Sequence, residues 1–460
     1  MIETYDATYA LECLKAKQKE IDTYEDYYEG EQPMYFSTDA WLSAFGKMFK
    51  RLSYNRCRAV VDAYVNRLSV EGWESPNVAE SSGDALGKHA KDIWERNRMH
   101  KRQSEIYRES LRAGDAYAIV WPGDDGLARI DINRGHLIHP VYDDEYPEML
   151  RYAVKCWQSQ HGPLKGRWRV NVYDDELITR WITADAQDDY PKNMDRFTPF
   201  EDGDGGEIAN PYGRIPVFHF GNDAETGQCG TSELVDVVPL QDGLNKSVAD
   251  MLVAGEYVAF PQRWVTGIAP TTNHFTGEEE EQFKAAVDRI WGVMEPDARF
   301  GQFDPADMGQ YTAMQDAWDM KIARVSFVPV HWLSMSGDFP SGEALKTAEG
   351  PFVGKGMSKQ LDLGGELSNM QSFALQIEGE AEGSVVTPIW QTFESRSATE
   401  ELSQAAMKKS LGIPDDQIWA ELGYTTDEIA EFTAKAEAKR KQQMEQFSTA
   451  FDRGQLPIGG

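Results

Sequence analysis

A glycine-rich run in the second half of the chain approaches the pattern of a phosphate-binding loop: Gly350-Pro351-Phe352-Val353-Gly354-Lys355-Gly356. Such a loop follows the pattern G-x-x-x-x-G-K-[ST], in which backbone N–H groups cradle phosphates and the final hydroxyl holds Mg²⁺. Here only three residues separate the first two glycines, and Gly356 stands where the hydroxyl is required. The run therefore predicts a helix kinked by Pro351, which removes a backbone donor, and no nucleotide site.

Histidines and acidic runs are the next candidates, for metal chemistry. His136 and His139 lie close together, but a zinc site needs further ligands at defined geometry. The runs Asp131–Gly135 and Asp202–Gly206 both break the calcium-loop pattern at its third liganding position. We predict a structural role for the histidines, acidic turns for both runs, and neither a metal ion nor a cofactor.

Catalytic motifs are weak throughout. The sequence has no G-x-S-x-G nucleophile elbow, and its paired carboxylates, Asp174-Asp175 and Asp415-Asp416, stand at turn or helix-start positions where they cap backbone donors. Carboxylates that meet only in the fold could still hold two metal ions. A metal-dependent nuclease, or another phosphoryl-transfer enzyme, therefore stays open as an alternative function.

The cysteines and the apolar stretches indicate the compartment. Four cysteines lie far apart with no C-x-x-C spacing, which predicts neither a zinc site nor a disulfide framework: Cys13, Cys57, Cys156 and Cys229. The first residues lack the basic and apolar regions of a secretory signal. The apolar stretch Val248–Phe260 is too short to cross a bilayer of ~30 Å. We expect a protein assembled in the cytoplasm and not in a membrane.

The charge balance limits how the chain can meet DNA. It carries 76 acidic and 46 basic residues, a formal charge of −30, the reverse of what tight phosphate binding requires. Two interpretations stay open. The charge either serves solubility alone or forms an acidic lining past which a polyanion slides because it is repelled.

Helices and strands that would position these groups are predicted first in the N-terminal half. Apolar spacing indicates helices over Thr8–Tyr28, Asn55–Leu68 and Ala85–Ala113, the last capped by Gly114. β-rich runs indicate strands over Tyr117–Trp121, Leu150–Trp157, Arg167–Tyr173, Leu177–Ile182 and Ile215–Phe220. With 460 residues, the chain is long enough for more than one core, so we predict an α+β protein of several segments.

The second half predicts two long helices around a compact insert. Ser232–Glu256 and Tyr311–Val328 carry apolar faces along which they can pair, and Pro239 and Gly243 should bend the first of them. The insert, Tyr257–Met308, should be a small α/β unit. After it we predict a loop at Ser334–Gly342, a long helix, a short strand and three final helices: Glu343–Glu378, Thr387–Phe393, Thr399–Leu411, Asp415–Leu422 and Asp427–Gln446.

Charged residues in these segments have two interpretations each. The acidic run at the start of the insert's helix complements the helix dipole as a solvated end, or rings a channel mouth: Glu278, Glu279, Glu280 and Glu281. Four basic residues are the candidates to lie near DNA: Lys321, Arg324, Lys346 and Lys355. Ordinary pairing of these cations with Asp316, Asp319 and Glu349 is the alternative. The loop Ser334–Gly342 is a plain connector or a segment that changes shape cheaply.

Short segments spread over most of the chain carry a resemblance to a known family. They are Tyr27–Gly30, Asn55–Asp62, Arg67–Trp73, Ala113–Tyr117, Asn210–Val217, Ser341–Lys346, Leu411–Pro414 and Glu421–Tyr424. Each is weak by itself, but their order and spacing over about 400 residues are specific. Together they resemble the portal protein of tailed bacteriophages, in particular the portal group of long-tailed phages of actinobacteria and their Gram-positive relatives.

The resemblance implies a ring, usually of twelve subunits, at one capsid vertex of the virion. The ring would nucleate head assembly with the major capsid and scaffolding proteins, dock the large terminase subunit, pass double-stranded DNA during packaging and ejection, and then hold the head–tail adaptor. It implies no enzymatic activity. A head–tail adaptor or minor capsid protein is the other alternative, although such proteins are normally much shorter than 460 residues.

Carried over by position, the resemblance implies a wing at 1–230, a stem helix at 231–256, a clip at 257–308, a return helix at 309–333, a channel loop at 334–342, a long kinked wing helix at 343–385, wing completion and crown at 386–447, and a flexible tail at 448–460. Candidates to line the DNA channel are then Ser334, Ser336, Asp338, Phe339, Ser341, Lys321, Arg324, Lys346 and Lys355. Candidates to bind partners at the clip are Glu278, Glu279, Glu280, Glu281 and Trp291. Because the channel loop contains no Lys or Arg, a steric, aromatic or backbone contact is favoured over an electrostatic grip, with Phe339 as a candidate.

Overall fold

The computed structural model describes most of the chain and divides it into two compact units. It describes residues 4–33, 53–76, 84–201, 206–259, 263–266, 297, 299–302, 307–333, 342–394, 398–422, 429, 431–436, 439 and 441. The first unit is Met1–Phe393 and the second is Glu394–Gly460. Residues 334–341 of the predicted channel loop and most of the predicted insert, including Trp291, lie outside the described residues, whereas Gly342 is the first residue of a helix.

The described residues form an α+β fold, as predicted. The α-helices are α1 (Thr4–Glu29), α2 (Cys57–Val65), α3 (Ala85–Arg96), α4 (Met99–Ala113), α5 (Val238–Ala259), α6 (Gly309–Ser326), α7 (Val330–Leu333), α8 (Gly342–Ile377), α9 (Ala398–Ser410) and α10 (Asp415–Glu421). The strands are β1 (Val70–Glu74), β2 (Asp115–Pro122), β3 (Ala128–Arg134), β4 (Ile138–Tyr142), β5 (Leu150–Gln158), β6 (Trp168–Tyr173), β7 (Leu177–Thr183), β8 (Phe197–Pro199), β9 (Glu207–Ala209), β10 (Val217–Gly221), β11 (Arg263–Thr266), β12 (Arg299–Gln302) and β13 (Thr387–Trp390).

Antiparallel sheets organise the first unit. One sheet has the order β10-β2-β3, and a six-stranded sheet runs β4-β5-β6-β7-β8 with β9 paired to β7. Strand β1 pairs with β13, more than 300 residues away, from Val70 opposite Trp390 to Glu74 opposite Thr387. The run from Asp131, predicted as an acidic turn, lies largely in strand β3 instead, where Ile130 and Asn133 are buried.

Two main cores hold these layers together. The larger one packs helices α2, α3, α4 and α8 around the β10-β2-β3 sheet. A second core lies between the first half of α1, with Ala10 and Leu14, and the six-stranded sheet, with Val154 and Val170. Helix α1 therefore contributes to both, because Tyr27 near its end belongs to the larger cluster.

The single helix predicted over Ala85–Ala113 is wrong, since the structure has two. Asn97 and Arg98 separate α3 from α4, and Arg98 adopts a left-handed backbone with φ of 55°. The Asn97 side chain amide donates to the carbonyl oxygens of Ile93 and Ala128, and its oxygen accepts from the Ile130 N–H. Contacts to strand β3 therefore stabilise the break, and periodicity within the helices could not reveal them.

Helices α5 and α6 form the predicted antiparallel pair. Gly243 lies against the Trp318 ring, Gln315 contacts Met251, and Gly255 lies near Met308. The expected bend at Pro239 is wrong, because α5 begins at Val238 and Pro239 occupies its first turn, where no intrahelical donor is lost. Gly243 instead allows the Trp318 ring to pack closely, since a Cβ there would lie 2.8 Å from that ring.

Helix α8 is one element of 36 residues with Pro351 inside it. The glycine-rich run that approached a phosphate-binding loop is helical throughout, as predicted. In the second unit, α9 and α10 are joined by Leu411–Pro414, with Gly412 at a φ of 87° and an exposed ion pair between Lys409 and Asp415.

Candidate functional site

The antiparallel pair of α5 and α6 carries two of the predicted channel residues, Lys321 and Arg324. Polar contacts that are wholly or partly buried tie this pair to the N-terminal helices. Arg56 donates from Nε and Nη2 to both carboxylate oxygens of Asp319 at 2.8 Å, a forked geometry that fixes orientation as well as distance. The Tyr27 hydroxyl donates to Asp242 at 2.7 Å, and that of Tyr64 donates to the Ser326 carbonyl at 2.7 Å.

Three of the four predicted basic residues are exposed. Lys321 and Arg324 lie on the outer side of α6, and Lys346 lies on the first turns of α8. The Lys321 ammonium lies 4.0 Å from the centre of the Trp318 ring, a cation–π contact that orients it. Asp319, considered as a partner for these cations, is taken by Arg56 instead, and Glu349 lies 3.6 Å from His331.

Lys355, the fourth basic candidate, belongs to a buried ionic cluster. Its Nζ lies 2.6 Å from Oε2 of Glu233, whose other oxygen accepts from the ammonium of Lys359. Lys359 also donates to Asn222 Oδ1 at 2.6 Å. Only 2% of the Glu233 side chain and 3% of the Lys359 side chain are exposed, compared with 24% for Lys355. We call Glu233, Lys355, Lys359 and Asn222 the Glu233 cluster.

The electrostatics of the Glu233 cluster keep its carboxyl ionised. Burial by itself would raise the pKa of Glu233, but the ammonium groups of Lys359 and Lys355 outweigh burial and lower it. The cluster joins α8, which carries Lys355 and Lys359, to the segment just before α5, which carries Glu233. The Glu233 N–H also donates to the Leu111 carbonyl, which anchors this segment to the end of α4. Sequence reasoning missed Glu233 and Lys359, because 126 residues separate them and neither lies in a motif.

A second buried polar network lies beneath α8, around His219 of strand β10. His219 Nε2 lies 2.6 Å from Oδ1 of Asp115, and Nδ1 lies 2.6 Å from the Tyr142 hydroxyl. Burial lowers the pKa of His219 to about 4, so the neutral ring donates from Nε2 to Asp115 and accepts at Nδ1 from Tyr142. Lys17 donates to the other oxygen of Asp115, and the His219 N–H donates to Glu366 of α8 at 3.0 Å.

This network has the residue types of a proton relay, but its groups are not accessible to a substrate. The Asp115 side chain is fully buried and only 6% of His219 is exposed, so a substrate has no route to the ring. Its role is structural: Asp115 also accepts from the Gly230 N–H at 2.6 Å, which fixes the chain where it leaves the sheet toward α5.

The two neighbouring histidines considered as metal ligands are His136 and His139. His136 and His139 are half-buried, and burial lowers the pKa of both, that of His139 to about 4. His139 packs edge-on against Tyr9 with ring centres 6.5 Å apart. In the described parts of the chain, no group of three or more His, Cys, Asp or Glu side chains is arranged to hold a metal ion.

Other predicted residues lie outside the described part of the chain. These are the channel-loop residues Ser334, Ser336, Asp338, Phe339 and Ser341, and the clip residues Glu278, Glu279, Glu280, Glu281 and Trp291. Their assignments stay predictions. Within the described ranges, no helix is both long and apolar enough to cross a membrane.

Comparison with known proteins now defines the class. The family described as phage portal protein, SPP1 Gp6-like, matches residues 9–446, almost the whole chain. The chain belongs to this family of phage portal proteins.

Two curated relatives are named portal proteins. That of Mycobacterium phage L5 is 27% identical over 195 residues, which cover 39% of this chain and 40% of the relative. That of Mycobacterium phage D29 is 25% identical over 169 residues, which cover 36% and 35%. The alignments thus span well under half of these relatives. A solved structure titled virion of native gene transfer agent particle matches with a TM-score of 0.42 and 14% identity, over 86% of this chain and 91% of that one.

Proposed function

We propose that this chain is the portal subunit of a tailed phage, which forms a ring at one capsid vertex through which double-stranded DNA is packaged and ejected. The observation that carries the proposal is the match to the portal family over residues 9–446. The structure supports it with an antiparallel helix pair, α5 and α6, whose intervening segment includes the two-stranded β11-β12 sheet. This order of elements suits a stem that carries a clip.

In this proposal α5 and α6 are the stem, residues 257–308 the clip, residues 334–342 the channel loop, and α8 the long wing helix. Lys321, Arg324 and Lys346 are exposed, and the proposal assigns them to the side that faces DNA phosphates. Lys355, the fourth candidate, forms an ion pair with the buried carboxylate of Glu233. The contacts of the channel loop with DNA, through Phe339 in particular, belong to the proposal as well.

In the proposed channel, the chain's charge of −30 would let DNA slide through without binding tightly. Carboxylates repel phosphates, so DNA finds no tightly bound state in which transit would stop. The proposed partners are those of a portal vertex: twelve copies in a ring, the large terminase subunit at the clip during packaging, the head–tail adaptor afterwards, and the major capsid and scaffolding proteins around the wing.

Negative-stain electron microscopy of the purified chain tests the proposal. We expect particles with a central hole and radial symmetry. Compact monomers or dimers under several salt conditions would contradict it, and Mg²⁺-dependent cleavage of plasmid DNA would favour the nuclease alternative. A gel shift at low salt adds a test of the slippery channel, since purified rings should not retard linear duplex DNA.

A further inference from the structure

Helix α8 begins at Gly342 and contains five further glycines: Gly350, Gly354, Gly356, Gly364 and Gly365. Glycine is among the poorest helix formers, because it gains the most backbone freedom on unfolding. A helix that keeps so many glycines along its length needs a reason at each position. The structure supplies that reason for two of the five.

Gly356 and Gly364 face the interior of the subunit. A Cβ at Gly356 would overlap the ring of Phe393, and a Cβ at Gly364 would lie 3.2 Å from Nε1 of Trp390. Glycine at these positions therefore allows two aromatic side chains to pack directly against the helix backbone.

Gly350, Gly354 and Gly365 face outward. Apart from the adjacent residues and the backbone of α8 itself, no atom of the described chain lies within 4 Å of a Cβ placed at any of them, so packing within the described residues does not require glycine there. Two large apolar side chains share this face: Met357, which is 51% exposed, and Leu361, which is 79% exposed. Exposed apolar side chains that lie together on one face mark a candidate contact surface.

These five residues form one continuous strip. Their spacings of four, three, four and four residues keep them on one side of the helix. The strip runs ~22 Å along the axis and contains no charged side chain, in a chain where 27% of residues are charged. We call Gly350, Gly354, Met357, Leu361 and Gly365 the α8 strip.

We propose that the α8 strip is a subunit interface, on which a helix of a second copy of this chain packs with its backbone close to that of α8. The missing Cβ atoms form a groove for that helix, while Met357 and Leu361 supply apolar area. Two subunits of charge −30 repel each other, and an uncharged strip is a place where they can approach without adding to that repulsion. This inference rests on the proposed ring.

The size and symmetry of the strip set further expectations. A strip ~22 Å long and about 10 Å wide offers on the order of 200 Å², a fraction of the ~800 Å² that each partner of a stable interface buries. The strip is thus one part of a larger interface. In a ring the contact is heterologous, so the strip of one subunit meets a different surface of the next.

Matched leucine substitutions of the full-length chain test this interface. Gly354→Leu fills the groove, whereas Asp362→Leu adds the same side chain to an exposed position beside the strip. We expect Gly354→Leu to raise the protein concentration at which rings half-dissociate by roughly tenfold or more. Asp362→Leu, which also removes one carboxylate and its repulsion, should not raise that concentration. Light scattering coupled to size exclusion gives the assembly state, and far-UV circular dichroism checks the fold.

Leu361→Asp gives a second measurement that adds no bulk and should weaken assembly in the same direction. The interface is disproved if Gly354→Leu and Leu361→Asp both assemble like the wild type. If the wild-type chain itself forms no ring at any concentration, the proposed function fails and the interface with it. The assembly of the wild type therefore distinguishes the two failures: wild-type rings together with unaffected variants disprove the interface only, whereas the absence of wild-type rings disproves the proposed function.

Discussion

The two faces of helix α8 use glycine for different reasons. On the inner face Gly356 and Gly364 make room for Phe393 and Trp390, and the explanation is complete within one subunit. On the outer face Gly350, Gly354 and Gly365 touch nothing in the described subunit, although they lower the stability of the helix. The same residue type in the same helix is thus explained by packing within the subunit on one side and, in our proposal, by contact with a second subunit on the other.

Polar groups divide between the faces in the same way. The inner side meets the Glu233 cluster through Lys359 and the His219 network through Glu366. The outer strip carries no charge. We therefore expect substitutions on the inner side to change the stability of the subunit, and those on the outer side to change assembly.

The largest effect should come from Glu233→Gln. This substitution keeps the shape of the side chain but leaves the Lys355 and Lys359 ammonium groups without their shared carboxylate, and Lys359 is only 3% exposed. Removing one partner of a buried ion pair costs about 3–5 kcal/mol. Denaturant unfolding monitored by tryptophan fluorescence would measure the loss.

Asp223→Asn is the control for this prediction. Asp223 lies 3.6 Å from Lys359 but is 55% exposed, so solvent screens its charge and the cost should stay below about 1 kcal/mol. Equal losses for the two variants would show that the Glu233 cluster does not hold α8 in place.

His219→Gln tests the network beneath α8 through pH. Burial lowers the pKa of His219 to about 4 from an unfolded value near 6.5, so the unfolded state binds more protons between these values. Stability should therefore fall as pH decreases from 6.5 to 4, and this residue accounts for roughly 3 kcal/mol of the loss. The glutamine variant, which cannot titrate, should lose that much less than the wild type over the same interval.

Unfolding curves of both proteins at several pH values would make this measurement. Asp115, Lys17 and Glu366 surround the ring of His219. An identical pH dependence in the two proteins would mean that His219 is not held neutral in the fold.

The smallest effects come from alanine substitutions on the two faces. Gly356→Ala forces a Cβ into Phe393 and should destabilise the subunit by about 1–3 kcal/mol. Gly365→Ala meets no atom of the described residues beyond the backbone of α8 itself and should stabilise the subunit by up to about 1 kcal/mol. Thermal unfolding under conditions that dissociate rings would measure both, and a destabilising Gly365→Ala would remove the contrast between the faces.

Much of the fold was predictable from local pattern. The paired helices α5 and α6, the long helix α8 and three of the six strands of the large sheet (β5, β6 and β7) follow from local sequence pattern, because each repeats its pattern over several residues. The errors lie where a contact from elsewhere decides. Asn97 breaks a helix by bonding to strand β3, and β1 was missed because its partner, β13, lies more than 300 residues away.

The sequence by itself determined the class of the protein and the order of its elements, because the spacing of segments and the period of apolar residues can be read without knowing any tertiary contact. Only the tertiary structure decided which lysine is buried, which glycines face inward, and that Glu233 joins α8 to the base of α5. The physical reason is that charge neutralisation and close packing act through space between residues far apart in the chain. The identity of a lysine or a glycine does not reveal which neighbour it will meet.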